Sequence, residues 1–235
     1  MSKKIIALSL AIFLIITCFV ACGKKYETTK INGQDVVVVT DAEGNPVIND
    51  KNQVAVLVTD FDGNVVKHEN GEDQTRYMQI YDAFEVNGVA RGDKYNLNVL
   101  EGWTVGEMDR IYKNGTENKC YIQFVTVKET NEKENFTSYF QNLNEQNSQL
   151  IDGLKNQGYT VDIEKESISV EENSGWHYIY KITDSDGKVI HYAENCYFVV
   201  AKTIYSINYA CTDGVGYDET FDFGSYVNAN FTYID

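Results

Sequence analysis

The sequence predicts an α+β fold: an antiparallel sheet flanked by helices, preceded by a small module of repeated β-hairpins. Three observations support this fold class: a repeated turn motif in the first third, one long amphipathic segment at mid-chain, and four consecutive strand-like segments after it. The 235 residues are 43% hydrophobic and 13% aromatic. This composition supplies a substantial core and excludes a disordered, collagen-like or multi-pass membrane protein.

The first 21 residues have the features of a bacterial secretion signal. Two lysines form a short positive start, and the apolar segment Ile5–Val20 that follows is shorter than the roughly 20 residues that a membrane span needs. This segment ends in the sequence FVACG, residues 19–23, which resembles the signal of bacterial lipoproteins. The resemblance implies cleavage after Ala21, a lipid on the thiol of Cys22, and a location at the cell membrane facing outside the cytoplasm. An uncleaved helix or an ordinary secretory signal is the alternative.

Residues 22–34 are polar and predict a tether, and residues 35–85 predict a β-rich extension built on an internal repeat. Val39–Val47 aligns with Val58–Val66 at an offset of nineteen residues. Each copy is an apolar run, a turn with aspartate and glycine, and a second run with valine, which is the pattern of a hairpin. Two copies are fewer than the three that a stable solenoid needs.

Residues 86–235 are predicted to form the main domain. A long helix is predicted over Asn135–Gln157, because its apolar residues fall on one face, and Gly158 suits its C-terminal cap. A short closing helix is predicted within Asp218–Ile234. The predicted strands are Tyr95–Leu100, Met108–Tyr112, Cys120–Lys128, Tyr159–Val170, His177–Thr183, Lys188–Val200 and Thr203–Cys211.

The main domain also resembles a known family through an ordered pattern of segments. A strand ends in Gly102 and Trp103, a long helix lies at mid-domain, paired strands include residues 188–192 and 203–209, and the chain closes on a phenylalanine-rich segment, residues 221–231. This pattern resembles the PsbP-like domain of photosystem extrinsic proteins and of many bacterial lipoproteins. The resemblance implies an α/β/α sandwich, no shared catalytic residues, and an accessory or binding role near a membrane.

The charge balance limits the possible partners. The chain has 20 basic and 35 acidic residues and a net charge of −15. Because binding to phosphate backbones needs clusters of lysine and arginine, which this sequence lacks, nucleic acid is not an expected partner. The expected partners are the membrane, through the N-terminal lipid, and a protein. No cofactor is expected.

Three cysteines lie beyond Cys22: Cys120, Cys196 and Cys211. An odd number cannot form a complete disulfide framework, and the spacing fits no metal motif, so small buried thiols are expected. The predicted register of the last two strands places Cys196 opposite Tyr209 and Cys211 diagonal to Cys196, which is unfavourable for a disulfide. A register shift of two residues would place these two cysteines opposite each other.

Candidate catalytic groups are few. The three histidines are His68, His177 and His191, and no known catalytic motif occurs in the sequence. The predicted hairpin brings His177 near Glu194, which favours a surface cross-strand pair over a catalytic pair. No metal site is predicted, because the calcium-like loop that starts at Asp60 fails the EF-hand pattern at two positions and fits a tight turn.

Three functions are compatible with these observations. The first is a non-enzymatic surface lipoprotein, anchored through Cys22, that binds or supports a protein partner at the membrane. The alternative is a solute- or polymer-binding lipoprotein with an aromatic pocket. The third is an enzyme in which His177 or His191 meets a carboxylate and a nucleophile in one cleft. Trp103 and Trp176 are the candidate aromatic binding surface, although each also fits a lid over the core.

Overall fold

A computed structural model describes residues 27–129 and 136–234 of the chain. The predicted signal, the lipidation position Cys22 and the first part of the tether lie outside these ranges. The same holds for Asn135, the predicted first residue of the long helix. Within the described ranges, no helix combines the length and the apolar character that crossing a bilayer requires.

Antiparallel strands dominate the described residues, and two helices accompany them: α1 (Phe136–Lys155) and α2 (Phe223–Asn230). The strands are β1 (Thr29–Ile31), β2 (Gln34–Val36), β3 (Gln53–Leu57), β4 (Thr75–Gln79), β5 (Phe84–Val86), β6 (Val89–Arg91), β7 (Tyr95–Asn98), β8 (Trp103–Val105), β9 (Arg110–Lys113), β10 (Cys120–Glu129), β11 (Thr160–Val170), β12 (Asn173–Thr183), β13 (Val189–Val200), β14 (Thr203–Thr212) and β15 (Phe231–Tyr233).

The internal repeat, with β1 to β4, forms a repeat module (residues 29–79) whose units are rings rather than simple hairpins. In the first copy, the N–H of Val39 donates to the carbonyl of Ala55 at 2.9 Å, Ala55 donates to Val47 at 2.8 Å, and Val47 donates back to Val39 at 2.9 Å. The second copy makes the same ring nineteen residues later, between Val58 and Gln74. Each copy therefore contains a third segment that the sequence pattern did not predict.

The predicted turn in each copy is confirmed. The Asp60 carboxylate accepts hydrogen bonds from the backbone N–H groups of Asp62 and Asn64, both at 2.9 Å. Asp41 makes the same two contacts in the first copy. These bonds are the reason for aspartate at the first turn position, since its side chain replaces a backbone acceptor.

The main sheet has seven antiparallel strands in the order β11-β12-β13-β14-β10-β9-β8. Helix α1 packs on one face through Phe140, whose ring centroid lies 6.4 Å from that of Tyr178 and 5.8 Å from that of Tyr197. Gly158 follows α1 with a φ of 89° and confirms the predicted cap. The long strands and the long helix thus agree with the sequence pattern to within a few residues.

The opposite face of the main sheet carries a second sheet, so the predicted α/β/α sandwich is wrong. A four-stranded antiparallel sheet, in the order β15-β7-β6-β5, packs there together with the short helix α2. The predicted closing helix ends at Asn230, and Phe231 begins β15, where it pairs with Leu97 of β7. Strand β7 was predicted, but β5, β6 and β15 have only three residues each and show no clear alternating pattern, which explains the error.

Two hairpins differ from their predicted registers, the first through the position of its turn and the second through a β-bulge between Ile182 and Thr183. Ala201, with a φ of 53°, begins the tight turn between β13 and β14, one residue earlier than predicted. Cys196 therefore faces Ile207 and not Tyr209. Between β12 and β13, the cross-strand partner of His177 is likewise Cys196 rather than the predicted glutamate. A turn that moves by one residue changes every pairing in its hairpin.

Candidate binding cleft and buried histidine network

Strand β12 presents alternate residues to the two faces of the main sheet. Trp176 and Tyr178 lie on the α1 face, where both contact Phe140, and His177 lies between them on the opposite face. The edge strand β11 pairs Lys165 with Tyr178 and residue 167 with Trp176. Lys165 is therefore on the same face as the tryptophan, because paired residues in a sheet share a face.

A cleft of 680 Å³ opens between the first turns of α1 and the ends of β11 and β12. We call it the α1 cleft. Its walls are mainly apolar, and hydroxyl, amide and ammonium groups lie among them. Residues that define its shape and chemistry are Phe136, Phe140, Lys165, Ser174, Gly175 and Trp176.

Small residues keep one side of the α1 cleft open. A Cβ added to Gly175 would lie 1.9 Å from the carbonyl oxygen of Tyr197, so the neighbouring strand excludes any side chain at this position. Ser174 precedes this glycine and also lines the cleft. The wall of the cleft next to Trp176 therefore includes a close strand approach that only glycine permits.

Trp176 is the exposed aromatic residue of the α1 cleft. Its side chain is 36% exposed, and its ring meets Phe140 edge-on at a centroid distance of 6.5 Å. The Nζ atom of Lys165 lies 3.9 Å from the indole centroid. This arrangement is a cation–π contact that holds an ammonium group at the cleft.

The α1 cleft has a local charge opposite to that of the whole chain. Among the described residues that line it, Lys165 is the one ionisable side chain, while the whole chain has a net charge of −15. The cleft therefore combines apolar walls with one positive charge, which favours an anionic group on an otherwise apolar ligand.

Amide side chains connect α1 to the tyrosines of the sheet. The hydroxyl of Tyr178 donates to Oδ1 of Asn144 at 2.9 Å, and Nδ2 of Asn147 donates to the hydroxyl of Tyr180 at 3.2 Å. Burial raises the pKa of Tyr178, which keeps this phenol neutral and able to donate. These bonds orient α1 over the sheet and give the cleft a fixed wall.

The two tryptophans chosen from the sequence lie in different environments. Trp103 is half-buried in β8, with its ring centroid 6.2 Å from that of Tyr209 and 6.4 Å from that of Phe221. It packs on the core of the opposite sheet face, while Trp176 lines the α1 cleft. The structure therefore does not combine Trp103 and Trp176 into one aromatic surface.

His177 lies between two glutamates on the other face of β12. Its Nδ1 is 2.8 Å from Oε1 of Glu166, and its Nε2 is 2.8 Å from Oε2 of Glu194. The hydroxyl of Tyr192 donates to the other oxygen of Glu194 at 2.8 Å. The predicted proximity of His177 and Glu194 is confirmed, but both residues are 3% exposed, so the expectation of a surface pair is wrong.

Two opposing effects set the pKa of His177. Burial alone lowers it, whereas the hydrogen bonds to Glu194 and Glu166 raise it by more, so the pKa of His177 lies above its ordinary value of 6.5. The raised pKa favours the imidazolium form of this ring more than in a free histidine. A protonated ring donates from both nitrogens, which matches the two carboxylate contacts.

This network suits a structural role better than a catalytic one. Both ring nitrogens of His177 already contact carboxylates, which leaves no ring lone pair for a substrate. Its strand neighbour Cys196 is fully buried, and burial raises the pKa of that thiol well above its ordinary value. His191 pairs with Ile182 and Thr212, away from His177, and burial lowers its pKa.

Within the described ranges, no group of three or more histidine, cysteine, aspartate or glutamate side chains is arranged to hold a metal ion. The carboxylate of Asp60 is engaged by the backbone of its own turn, as its spacing predicted. Those two bonds use the oxygen Oδ1 that a cation would otherwise approach.

Comparisons with known proteins give a similarity in fold alone. The sequence matches no protein-family model and no curated protein. Among solved structures, the chain is similar to the solution structure of cyanobacterial PsbP (CyanoP) from Synechocystis sp. PCC 6803, at 9% sequence identity and a TM-score of 0.42. The match covers 59% of this chain and 86% of that chain. The similarity to a PsbP structure, which the sequence resemblance implied, is weak at this TM-score and carries no argument about function.

Sequence reasoning selected Trp176 but missed the residues that surround it. Phe136 and Phe140 lie four positions apart on α1, which places both on one helix face. Lys165 lies on the edge strand β11 and pairs with Tyr178, which shares a sheet face with Trp176. Placing this helix face against the strand that carries Trp176 would have identified the two phenylalanines. Lys165 could be identified only from the observed pairing of β11 with β12.

Proposed function

We propose that the chain is a non-enzymatic, lipid-anchored binding protein that faces outside the cytoplasm, and that the α1 cleft holds an apolar or aromatic solute with an anionic group. The observation that carries this proposal is the exposed indole of Trp176 beside open apolar space, with the Lys165 ammonium 3.9 Å from its ring centroid.

The size and chemistry of the cleft support a small ligand. Small-molecule sites usually measure about 300–1,000 Å³ and combine apolar walls with a few polar groups, and the α1 cleft has 680 Å³. Trp176, Phe136 and Phe140 supply ring surface, and Gln141 and Asn144 supply amide groups from α1. Lys165 supplies the positive charge that pairs with an anion.

Naphthalene-2-carboxylate and its neutral carboxamide are a matched pair of probes for the cleft. We expect the carboxylate to bind the full chain more tightly than the amide, measured by calorimetry. Trp176→Ser should weaken carboxylate binding by about tenfold or more, which corresponds to a loss of roughly 1.4 kcal/mol of binding free energy. Tyr81→Ser is the matched control, since Tyr81 is an exposed aromatic residue outside the cleft lining. Equal affinity in all three proteins would refute the cleft as the binding site.

The N-terminal signal supports anchoring independently of the cleft. Each buried acyl methylene contributes about 0.8 kcal/mol, so two or three acyl chains hold a domain firmly at a membrane. Cys22→Ser should move the protein from the membrane fraction to the soluble fraction of cells. Unchanged membrane retention would refute the lipid anchor and leave the cleft proposal intact.

A second candidate function, binding of a protein partner, is favoured by the repeat module. Phe61 lies at a turn there and is fully exposed, and Tyr77 of β4 is also exposed. Exposed aromatic residues of this kind are enriched at protein interfaces. Capture from the native membrane with the wild-type chain, Phe61→Ser and Trp176→Ser separates the two functions: a partner lost only with Phe61→Ser binds the module.

A further inference from the structure

Two buried cysteines lie directly opposite each other in the middle of the main sheet. Cys120 begins β10 and is the cross-strand partner of Cys211 in β14. Their sulfur atoms are 2.9 Å apart. The two residues are 91 positions apart in the sequence, so the sheet and not the local chain brings them together.

The hydrogen-bond pattern places this pair at the type of site that suits a cross-strand disulfide. The N–H of Thr212 donates to the carbonyl of Lys119 at 2.8 Å, which puts the backbone bond beside the cysteine pair and not within it. Cys120 and Cys211 therefore form a non-hydrogen-bonded pair, in which Cα atoms are about 4.5 Å apart. Disulfides span Cα separations of about 4.4–6.8 Å, so no strand has to move.

Neighbouring groups enclose the two sulfur atoms. Both cysteines are fully buried, and the hydroxyl of Tyr209 lies 3.2 Å from the sulfur of Cys211 and 3.9 Å from that of Cys120. The backbone of Gly216 covers the site so closely that a Cβ there would lie 2.8 Å from the Cβ of Cys120. A reductant in solution therefore has no direct approach to this pair in the folded chain.

We propose that Cys120 and Cys211 form an intramolecular disulfide that links the two central strands of the main sheet, while Cys196 stays a free thiol. The step is thiol–disulfide exchange with an oxidised dithiol or glutathione disulfide. One cysteine thiolate attacks the disulfide of the oxidant and releases one thiol. The second then attacks the mixed disulfide and releases the other thiol, so two electrons and two protons leave the protein in total.

The proposal does not depend on the α1 cleft or on the lipid anchor. Because the site is enclosed in the native sheet, the exchange occurs before β10 and β14 have fully packed. Once formed, the bond restricts the unfolded chain over the whole region from β10 to β14, which includes α1. It also uses two of the three cysteines beyond Cys22, so the odd number there is compatible with one bridge.

Peptide mapping of the full chain tests the bond directly. The chain is refolded with glutathione disulfide, alkylated under denaturing conditions without reductant, and digested. We expect a linked peptide pair that contains Cys120 and Cys211 and is about 2 Da lighter than the two thiol peptides together, with Cys196 alkylated. Alkylation of both Cys120 and Cys211, or a link from either one to Cys196, would overturn the proposal.

Single substitutions give the matched control. Cys196→Ser removes the third buried thiol and should keep the linked peptide, whereas Cys211→Ser should abolish it. In the wild-type chain, reduction by dithiothreitol should be about tenfold slower under native conditions than in denaturant, because the bond is reached only by opening of the sheet. Equal reduction rates would contradict the enclosed site and the proposal with it.

Discussion

Trp176 and His177 are neighbours in one strand, but their side chains lie on opposite faces of the main sheet and differ strongly in solvent exposure. The indole is 36% exposed in an open cleft, while the imidazole is 3% exposed between two carboxylates. The α1 face meets one helix that leaves space at the end of the strand. The opposite face meets a second sheet and α2, and these enclose the polar network.

The difference shows how one strand serves two purposes. Alternation along a strand separates adjacent residues by the full thickness of the sheet. A buried charge requires fixed partners, which His177 finds in Glu166 and Glu194. An exposed aromatic ring has no such requirement, so the α1 face is free to serve the proposed binding while the buried network stabilises the opposite face.

The largest effect is expected from removing the centre of the buried network. His177→Ala leaves the enclosed Glu194 carboxylate without its cationic partner, which should lower the free energy of unfolding by about 3–5 kcal/mol in urea denaturation. Glu166→Gln is the control. The side chain of Glu166 is 66% exposed and can exchange its partner for water, so less than about 1 kcal/mol should be lost. Similar losses of stability in both variants would contradict the conclusion that the buried pair of His177 and Glu194 dominates the network.

A methyl group at Gly175, beside the α1 cleft, should have the next largest effect on stability. Gly175→Ala forces a methyl group against the carbonyl of Tyr197 and should cost about 1–3 kcal/mol as the strands separate. Gly153→Ala in α1 is the matched control, because nothing lies within 4 Å of its added Cβ. Alanine there should stabilise the helix by roughly 0.5–1 kcal/mol. If both variants have the wild-type melting temperature, the close strand approach is not a constraint.

The pH dependence of stability should differ between wild type and His177→Gln. Because folding raises the pKa of His177 above 6.5, its contribution is fully present below that value and is lost as the pH rises through the folded-state pKa. The charged or titratable groups around the ring are Glu166, Glu194, Tyr192, Asp222 and Cys196. The stability gap between the two proteins should therefore narrow as the pH rises above about 6.5. A constant or widening gap would refute the raised pKa.

The smallest effect on stability is expected on the α1 face. Lys165→Gln removes a solvent-accessible cation–π contact and should change the free energy of unfolding by only about 0.5–1 kcal/mol. Its effect on binding should be larger, because the preference for naphthalene-2-carboxylate over the amide should disappear. Lys188→Gln, in the exposed turn before β13, is the matched control and should keep that preference.

Long regular elements were predictable from the sequence, and the packing on the second face was not. The amphipathic face around Phe140 predicted α1, and the strands from Thr160 to Thr212 follow a clear alternating pattern. The small sheet was missed, although its strand β7 was predicted, because strands such as Phe84–Val86 are too short for a pattern. Register was missed by two residues, because a turn at Ala201 moves all pairings of its hairpin.

The candidate site was predictable only in part for a similar reason. Trp176 stands out by residue type, whereas the role of Lys165 depends on which strand lies at the edge and which residue faces it. The pairing of Cys120 with Cys211 was missed because it joins strands that are distant in sequence. The predicted register covered only strands that are consecutive in the sequence, and among these Cys196 was the candidate partner of Cys211.

The hydrogen-bond rings of the repeat module show how its length can vary by whole copies. Each ring satisfies its three backbone pairs within one copy, so an extra copy inserted after Leu57 adds a layer without disturbing the rings on either side. The length of the module would therefore change in fixed steps of nineteen residues, with the same hydrogen bonds in every step.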